Sequence, residues 1–231
     1  GNRLADNCIY LYKISMNYFD ALDGVSARKA VGDGIVLAAC QGGSFRNIQT
    51  YDNGGHGISI LGCNAASFYS ISATANKKSG AYISRFTDKD GAHYGGGCTV
   101  TRIHCESNAE HGVDIFKVVN NNRVSIVGGW LEMNGGDGVR ITSSPVTISG
   151  TLFFGVGAGS SYAVHIMSGS QVCVNGCTVV GAKGSAFGFK DEGNNPDNVF
   201  YFNYDGIKGC YNKKAMLDSV LPESAGRQTL K

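Results

Sequence analysis

Residues 53–60 read NGGHGISI, and residues 134–141, 81 positions later, read NGGDGVRI. Two weaker copies lie between them, NKKSGAYI at 76–83 and NAEHGVDI at 108–115. In each copy an Asn is followed four residues later by a Gly, which we call the frame residue. The frame extends back to Gly34 and forward to Ala163 and Ala186, in steps of 23, 23, 32, 26, 25 and 23 residues. Self-similarity of this kind indicates a stacked repeat with one longer turn.

The residues after each frame position predict a β-strand. The first and third are apolar in all seven copies, whereas the second is mostly polar, and a period of two is typical of a strand. A second strand centres on apolar pairs that run from Phe45/Ile48 to Val199/Phe200, and a third precedes each Asn, as in IQTYD and GWLEM. The apolar pairs of the first strand are Ile35/Leu37, Ile58/Ile60, Ala81/Ile83, Val113/Ile115, Val139/Ile141, Val164/Ile166 and Phe187/Phe189.

Three short strands that recur in one order do not keep this register as hairpins. They fit a coil in which each strand lies about 4.8 Å from its counterpart one turn later. Asn and Gly occupy the bends, often at positive φ, which they tolerate. We predict an all-β right-handed parallel β-helix of about seven turns of 23–26 residues, with three short strands per turn. It occupies residues 1–204, and residues 205–231 form a C-terminal cap or tail, either a short helix or extended chain.

The composition argues against two classes of partner. The chain has 231 residues and a net charge of +2, and only 16% of its residues are charged, so it carries no basic footprint for nucleic acid. No apolar run approaches the roughly 20 residues that span a bilayer, so we expect no membrane contact. The opening residues, GNRLADNC, resemble the start of a fragment. A signal peptide before the chain and a trimerisation domain after it are both compatible with this interpretation.

The eight cysteines are predicted to be packed free thiols. Cys40 and Cys63 each follow a frame residue by six positions, so they stack in neighbouring turns as small buried side chains. The stretch CVNGC at 173–177 lacks the CxxC spacing, which leaves zinc as the less favoured alternative, and no dense carboxylate loop suggests calcium. We therefore expect neither metal nor cofactor, and assembly in a reducing compartment.

The repeat resembles a known family. Over residues 7–203 the repeat is similar to the right-handed β-helix of pectate-lyase-like proteins, above all of bacteriophage tailspike and tail-fibre depolymerases. The shared pattern is an apolar strand, an Asn, a Gly-rich corner and then Gly-apolar-x-apolar. The resemblance implies a homotrimeric virion protein that recognises a bacterial surface polysaccharide, assembled in the host cytoplasm and acting outside the cell. The superfamily includes lyases, hydrolases, esterases and inert spikes, and no catalytic signature of the family maps onto this chain.

Equivalent residues in consecutive turns lie side by side and form columns. The outward-facing columns of the third strand contain the main candidate site. Residues two before Asn include Glu106 and Glu132 in adjacent turns, and residues four before it include His104 and Trp130. Like charges at that spacing repel, which favours one carboxylic acid beside one carboxylate, as glycoside hydrolysis requires. We predict Glu106 and Glu132 as catalytic, in retaining or inverting geometry, with Trp130 stacking on sugar. The alternative is that both are ordinary surface charges and that Trp130 is buried between subunits.

Five further residues are candidate substrate ligands. His111 and Asp137 directly precede frame residues, and Asp114, Arg140 and His165 lie two positions after them. Arg and His donate to hydroxyl or uronate groups, and Arg140 or His165 would serve a lyase as the base. The favoured alternative is structural, with Asp114 and Arg140 paired across neighbouring strands.

The longer turn carries an insertion at residues 85–97, RFTDKDGAHYGGG, which must leave the wall as a surface loop. Asp88, Asp90, His93 and Tyr94 would close one side of a groove beside Glu106, or the loop is only a mobile connection.

The leading functional hypothesis is a tailspike-like protein that binds and cleaves a bacterial surface polysaccharide, as a glycosidase or a lyase. The second is a non-catalytic structural or receptor-binding spike of the same fold. The third is a secreted or cell-surface β-helix, such as an adhesin or a plant-type pectin enzyme, and free cysteines count against it.

Overall fold

The structure, a computed structural model, describes residues 6–15, 21–118, 122–155, 162–168, 170–180, 189–192, 199–204 and 207–212. The described residues form no helix, and their parallel strands stack into a β-solenoid. This confirms the predicted right-handed parallel β-helix, with about six turns in place of the predicted seven. Within these ranges there is consequently no helix long and apolar enough to cross a membrane.

Two parallel sheets and one small hairpin make up the wall. The short strands that follow the frame residues form an eight-stranded sheet, which we call the short-strand sheet. Its members are β1 (Ile9–Tyr12), β4 (Ile35–Ala38), β6 (Ile58–Leu61), β8 (Ala81–Ser84), β12 (Val113–Phe116), β14 (Val139–Thr142), β16 (Val164–Ser168) and β18 (Phe189–Asp191).

The other strands form a ten-stranded sheet, the long-strand sheet, in which six strands have eight or nine residues. β9 (Phe86–Thr87) and β10 (His93–Tyr94) pair with each other in the insertion. The members of the long-strand sheet are β2 (Ala21–Asp23), β3 (Ser26–Arg28), β5 (Ser44–Tyr51), β7 (Ala66–Thr74), β11 (Cys98–Glu106), β13 (Val124–Glu132), β15 (Val146–Phe154), β17 (Val172–Val180), β19 (Val199–Tyr204) and β20 (Ile207–Asn212).

The predicted second and third strands run on as one long strand with a bend inside it. Each bend residue has a left-handed backbone, and the strand register places the bends of successive turns side by side. The pairing continues on both sides of the bend, so each long strand supplies two outward facets. The bend residues are Asn47, Ser70, Arg102, Gly128, Gly150 and Gly176, with φ between 49° and 65°.

The strand register follows the frame up to β16, apart from a one-residue shift at the end of β14, where Thr142 pairs with Ser168. Ile58 pairs with Ile35 and with Ala81, as the sequence predicts. The last short strand differs, because Val164 pairs with Phe189 and not with Phe187. The frame therefore slips by two residues after the sixth copy. Position 186, where we placed the final frame residue, lies outside the described residues.

The C-terminal cap or tail stays a prediction. β20 pairs antiparallel with β19, so residues 207–212 extend the long-strand sheet by a hairpin and not by a further turn. Residues 205–206 and 213–231, which include the predicted short helix or tail, lie outside the described residues.

Inward side chains of both sheets fill the space between them. Phe45 and Phe68 stack in neighbouring turns, with ring centroids 4.9 Å apart, and both are buried. Cys40 and Cys63 are fully buried, as predicted. The seven cysteines before β20 are free thiols, and they are not all packed, because Cys8 is exposed and Cys173 is half-buried. Burial raises the pKa of Cys98 to about 12 and that of Cys177 to about 11, so these thiols stay protonated and unreactive at neutral pH.

The repeated Asn builds a hydrogen-bonded ladder inside the corner. Asn53 Nδ2 donates to Asn76 Oδ1 at 2.8 Å, and Asn76 Nδ2 donates to Asn108 Oδ1 at 2.8 Å. Asn108 Nδ2 in turn donates to Asn134 Oδ1 at 2.9 Å. Each side-chain oxygen also accepts the backbone N–H of the preceding turn's Asn. All four residues are buried, so the ladder satisfies polar groups that water does not reach.

We expected Asn and Gly at the bends because they tolerate positive φ, but the structure gives a different reason for their positions. Positive φ is not adopted by these Asn or by the frame Gly, but by the residue before each Asn, such as Asp52 (φ 52°) and Ala75 (φ 56°). The frame Gly is required by close approach: a Cβ on Gly57 would lie 2.8 Å from Asn76 Nδ2 and 2.6 Å from the Gly80 carbonyl oxygen.

Replacement of one ladder residue tests this corner. Asn76→Ala removes the acceptor of two buried Asn53 donors, and each unsatisfied donor costs about 1–3 kcal/mol. We expect the free energy of unfolding in urea to fall by about 2–6 kcal/mol. The control is Asn64→Ala at a half-buried corner outside the ladder, which should change stability by about 0.5 kcal/mol or less. Equal losses for both variants would contradict the role of the ladder.

The insertion packs against the first turns of the solenoid. Asp88 is buried and accepts Lys13 Nζ at 2.8 Å, and Phe86 contacts Tyr12 edge-on at 5.8 Å between ring centroids. A Cβ on Gly62 would lie 2.7 Å from the Cβ atoms of Phe86 and Tyr94, so this glycine admits the loop. The loop thus covers the corner after the short strands, and not the far end of β11, where we expected it beside Glu106.

Acid should loosen this loop. The hydrogen bond from Lys13, assisted by the Ala92 N–H, lowers the pKa of Asp88 from 3.8 to about 2. The ionised carboxylate therefore stabilises the fold above pH 3.8, and this stabilisation is lost as the pH falls through about 2.

We expect the wild-type melting temperature to fall over this pH range and the fall to be smaller in Asp88→Asn, which keeps the acceptor oxygen. Asp90→Asn, an exposed change in the same loop, is the control and should behave like wild type. Identical pH profiles for wild type and Asp88→Asn would show that the ion pair does not hold the loop.

Candidate functional site

The structure places the four residues of the sharpest prediction on one facet. After its bend, β11 alternates inward Ile103 and Cys105 with outward side chains, as the burial of these two residues shows. We use the name acidic strip for His104, Glu106, Trp130 and Glu132. His104 pairs in register with Trp130, and Glu106 with Glu132, across β11 and β13. The predicted stacking of the two glutamates in adjacent turns is therefore correct at the level of the backbone.

Side-chain contacts within the acidic strip are open to solvent. Glu106 Oε2 lies 3.4 Å from His104 Nε2, with 38% and 43% of these side chains exposed. Ion pairs so exposed contribute little to stability, so this contact orients the side chains more than it holds the fold. The Trp130 ring is 45% exposed and tilted by 50° to the His104 ring, at 6.3 Å between centroids. In the single chain, the indole is thus available to a ligand.

The same columns extend the acidic strip toward both ends of the solenoid. Arg28, Tyr51 and Thr74 precede Glu106 in register, and Phe154 follows Glu132. Tyr51 is 49% exposed and Phe154 39% exposed. A hollow of about 250 Å³ lies over the early turns, lined by Arg28, Gln49, Thr50, Tyr51, Ser72 and Thr74.

Along this facet, over five steps of about 4.8 Å, aromatic rings therefore stand on both sides of the two carboxylates. Tyr51, Arg28 and Phe154 were not chosen from the sequence as site residues. The signal was present for Tyr51, which stands in the same column as the glutamates. For Arg28 and Phe154 the column had to be continued into turns that lack the repeated Asn.

A second group of predicted residues lies on the short-strand sheet. Arg140 Nη2 and Nε donate to the two oxygens of Asp114 at 2.7 and 3.1 Å, so the expected pair across neighbouring strands is present. Asp114 is buried, and 36% of the Arg140 side chain is exposed. Hydrogen bonding to Asp114 raises the pKa of Arg140, which stays positively charged. A bidentate pair of this kind leaves Asp114 little capacity to bind a substrate.

His111, Asp137 and His165 form a connected cluster beside that pair. Asp137 Oδ2 lies 3.1 Å from His165 Nδ1 and 3.4 Å from His111 Nδ1. The Asp137 backbone N–H donates to His111 Nδ1 at 2.9 Å, so this nitrogen is an acceptor and carries no proton. On the far side of His165, Nε2 lies 3.7 Å from a Glu192 oxygen. All three clustered side chains are nearly buried, with 8–13% exposed.

The cluster belongs to a structural column that runs through most turns. A side chain in one turn accepts the backbone N–H of the equivalent residue one turn later, as Asp33 does from His56 at 2.7 Å and His56 from Ser79 at 3.2 Å. His111 and Asp137 repeat this arrangement with Asp137 and Tyr162 as donors. The structure therefore favours the structural interpretation of His111 and Asp137, and their role as substrate ligands stays untested.

Protonation of this column should destabilise the fold. Burial, followed by the charge of Arg140, lowers the pKa of His111 below 6.5, and burial also lowers the pKa of His56. Because the unfolded chain binds protons more readily, the neutral imidazoles stabilise the fold above pH 6.5, and this stabilisation is lost as the pH falls.

We expect wild-type stability in urea to drop between about pH 7 and pH 5, and to drop less in His111→Asn, whose amide oxygen replaces the Nδ1 acceptor. His56 contributes to the remaining slope. Asn64→Ala, which removes no ionisable group, is the control and should keep the full wild-type slope. A steeper slope in His111→Asn than in wild type would contradict this account.

The two predicted groups lie on different sheets, since the acidic strip is on the long-strand sheet and the cluster on the short-strand sheet. Metal-binding groups of three or more His, Cys, Asp or Glu do not occur among the described residues.

Comparison with known proteins gives no family for this chain. No family model matches it, and no curated protein matches it. The resemblance to tailspike and pectate-lyase-like proteins therefore rests on the solenoid fold and the repeat alone.

Proposed function

We propose that this protein binds and cleaves a bacterial surface polysaccharide, in the manner of a tailspike or tail-fibre depolymerase, as a homotrimer on a virion. The observation that carries the proposal is the acidic strip, in which two glutamates in register stand beside an exposed Trp on an open facet. An open facet suits a polymer better than a small molecule, because an extended chain can occupy several successive turns.

The aromatic side chains supply the binding surface. Tyr51, Trp130 and Phe154 present exposed rings along one facet, and such rings pack against the apolar faces of sugars while polar neighbours bind hydroxyl groups. Gln49, Ser72 and Thr74 provide those polar groups around the hollow of about 250 Å³. The facet thus offers both kinds of contact that a polysaccharide needs.

Glu106 and Glu132 would perform the chemistry as a carboxylate and an acid. His104 Nε2 lies 3.4 Å from a Glu106 oxygen and orients that carboxyl group, and we assign Glu106 as nucleophile or base. Glu132 pairs in register with Phe154, an apolar neighbour, and we assign it as the proton donor to the leaving oxygen. The separation of the two carboxyl groups with substrate bound decides between retention and inversion.

Degradation of polysaccharide from candidate hosts tests this proposal. Capsule and lipopolysaccharide are incubated with protein while new reducing ends and the ultraviolet absorbance of unsaturated sugars are followed. We expect Glu106→Gln and Glu132→Gln each to lower the rate by about 10²–10⁴-fold, as loss of a general acid or base does. Glu110→Gln, at an exposed position outside the acidic strip, is the matched control and should retain wild-type activity. Undiminished activity in both strip variants would overturn the assignment.

The second candidate is a recognition spike without catalysis. The exposed apolar side chains Val127, Trp130, Met133 and Phe154 favour it, since they would suit a contact between subunits. A protein that sediments as a trimer and binds its host polysaccharide without forming product would support this candidate. An ultraviolet increase in the same assay would instead identify a lyase.

A further inference from the structure

The other facet of the long strands carries a groove that the acidic strip does not use. Its volume is about 520 Å³, within the range typical of ligand sites, and it lies over β2, β5, β7 and β11. Polar side chains that precede the strand bends line it, among them Ser44, Arg46, Tyr69, Thr99 and Thr101. The groove and the acidic strip therefore occupy the two facets that meet at the column of bends.

A row of hydroxyl groups runs along the floor of the groove. Ser44, Ser67 and Thr99 line the groove and are register partners in three consecutive turns. Ser125 and Thr147 continue the row in the two turns beyond the groove. Hydroxyl groups both donate and accept, so a row at the spacing of the turns matches a ligand that presents repeated hydroxyls. This pattern points to a saccharide.

Arg46 lines the groove beside its register partner Asp23, and Arg102 stands at the edge of the groove, so guanidinium groups outnumber the one lining carboxylate. Arg102 Nη1 donates to Tyr69 Oη at 2.8 Å, and its guanidinium lies 5.6 Å from the centroid of the Tyr69 ring. Arg46 is the register partner of Tyr69 on the preceding turn. Tyr69 is 41% exposed, so a flat, accessible ring stands next to two cationic side chains.

The groove has a single carboxylate on its lining, and this carboxylate already accepts a hydrogen bond from a neighbouring side chain. Asp23 accepts Asn47 Nδ2 at 2.8 Å at the edge of the groove. Within the part of the chain that the structure describes, neither Arg46 nor Arg102 forms an ion pair. Both guanidinium groups are exposed and therefore keep donors for a ligand.

We propose that this groove binds an acidic sugar unit, one that carries a carboxylate, sulfate or phosphate group. Arg46 and Arg102 would bind the anionic group, Tyr69 would pack against the sugar ring, and the hydroxyl row would bind its hydroxyls. The inference rests on the proposed function, because it names an acidic polysaccharide as the polymer. A chain that crosses the bends would place its acidic unit here and a scissile bond on the acidic strip.

Matched dextrans test the charge requirement directly. Binding of carboxymethyl dextran and of unmodified dextran of the same length is measured by calorimetry at low and at high salt. We expect wild type to prefer the carboxymethyl form and to lose this preference in salt, because exposed charges are screened. The double variant Arg46→Gln/Arg102→Gln should bind it about tenfold more weakly, as expected when charge-assisted hydrogen bonds are lost.

Arg85→Gln/Lys89→Gln is the control, since it removes the same charge from exposed positions in the insertion. An equal loss in this control would show general attraction to a polyanion and would overturn the assignment, as would equal or absent binding of the two dextrans by wild type. Melting temperatures verify that each variant is folded.

Both glutamates remain in the groove variants. If binding requires the acidic groups of the polymer but no cleavage occurs, the proposed cleavage is refuted and the groove proposal stands. If the protein cleaves a neutral polymer, the proposed cleavage stands and the groove proposal is refuted.

Discussion

The structure depends on one constraint, which is that the corner after each long strand must satisfy its buried polar groups without water. The asparagines of four consecutive turns meet it by hydrogen bonding to one another and to the backbone of the neighbouring turn. Each amide can do so only if the next turn stands directly above it. The ladder therefore fixes the register of the four turns that carry it, and the outward columns of these turns inherit that register. The alignment of Glu106 with Glu132 is a consequence of Asn108 lying beside Asn134.

The inward pattern was readable from the sequence because apolar alternation and spacing are local. The frame of Gly57 and Gly80 correctly aligned the short strands, and hence the outward columns. The bends were not readable: Ser70 and Arg102 adopt left-handed φ, although neither residue favours it, because the turns on either side impose the bend. The slip at Phe189 was missed because a shift of two residues keeps the same face inward, so the alternation of apolar residues does not reveal it.

The candidate site was predictable as an arrangement of columns and not as a set of contacts. The sequence placed Glu106 next to Glu132 and Asp114 next to Arg140, and the backbone agrees. It did not reveal that His111 donates no proton to Asp137 but accepts its backbone N–H, which depends on side-chain rotation. It also placed the insertion on the wrong corner, because the ion pair of Asp88 with Lys13 joins residues 75 positions apart.

The insertion shows how such a fold can change its surface. Turn three carries extra residues between β8 and β11, yet Ala81 still pairs with Val113 and Thr74 with Glu106, as in turns of ordinary length. The insertion therefore leaves the strand register on either side unchanged. A corner of this solenoid therefore behaves as an independent acceptor site for foreign sequence. New recognition loops can be grafted or exchanged there while the aligned facets are conserved.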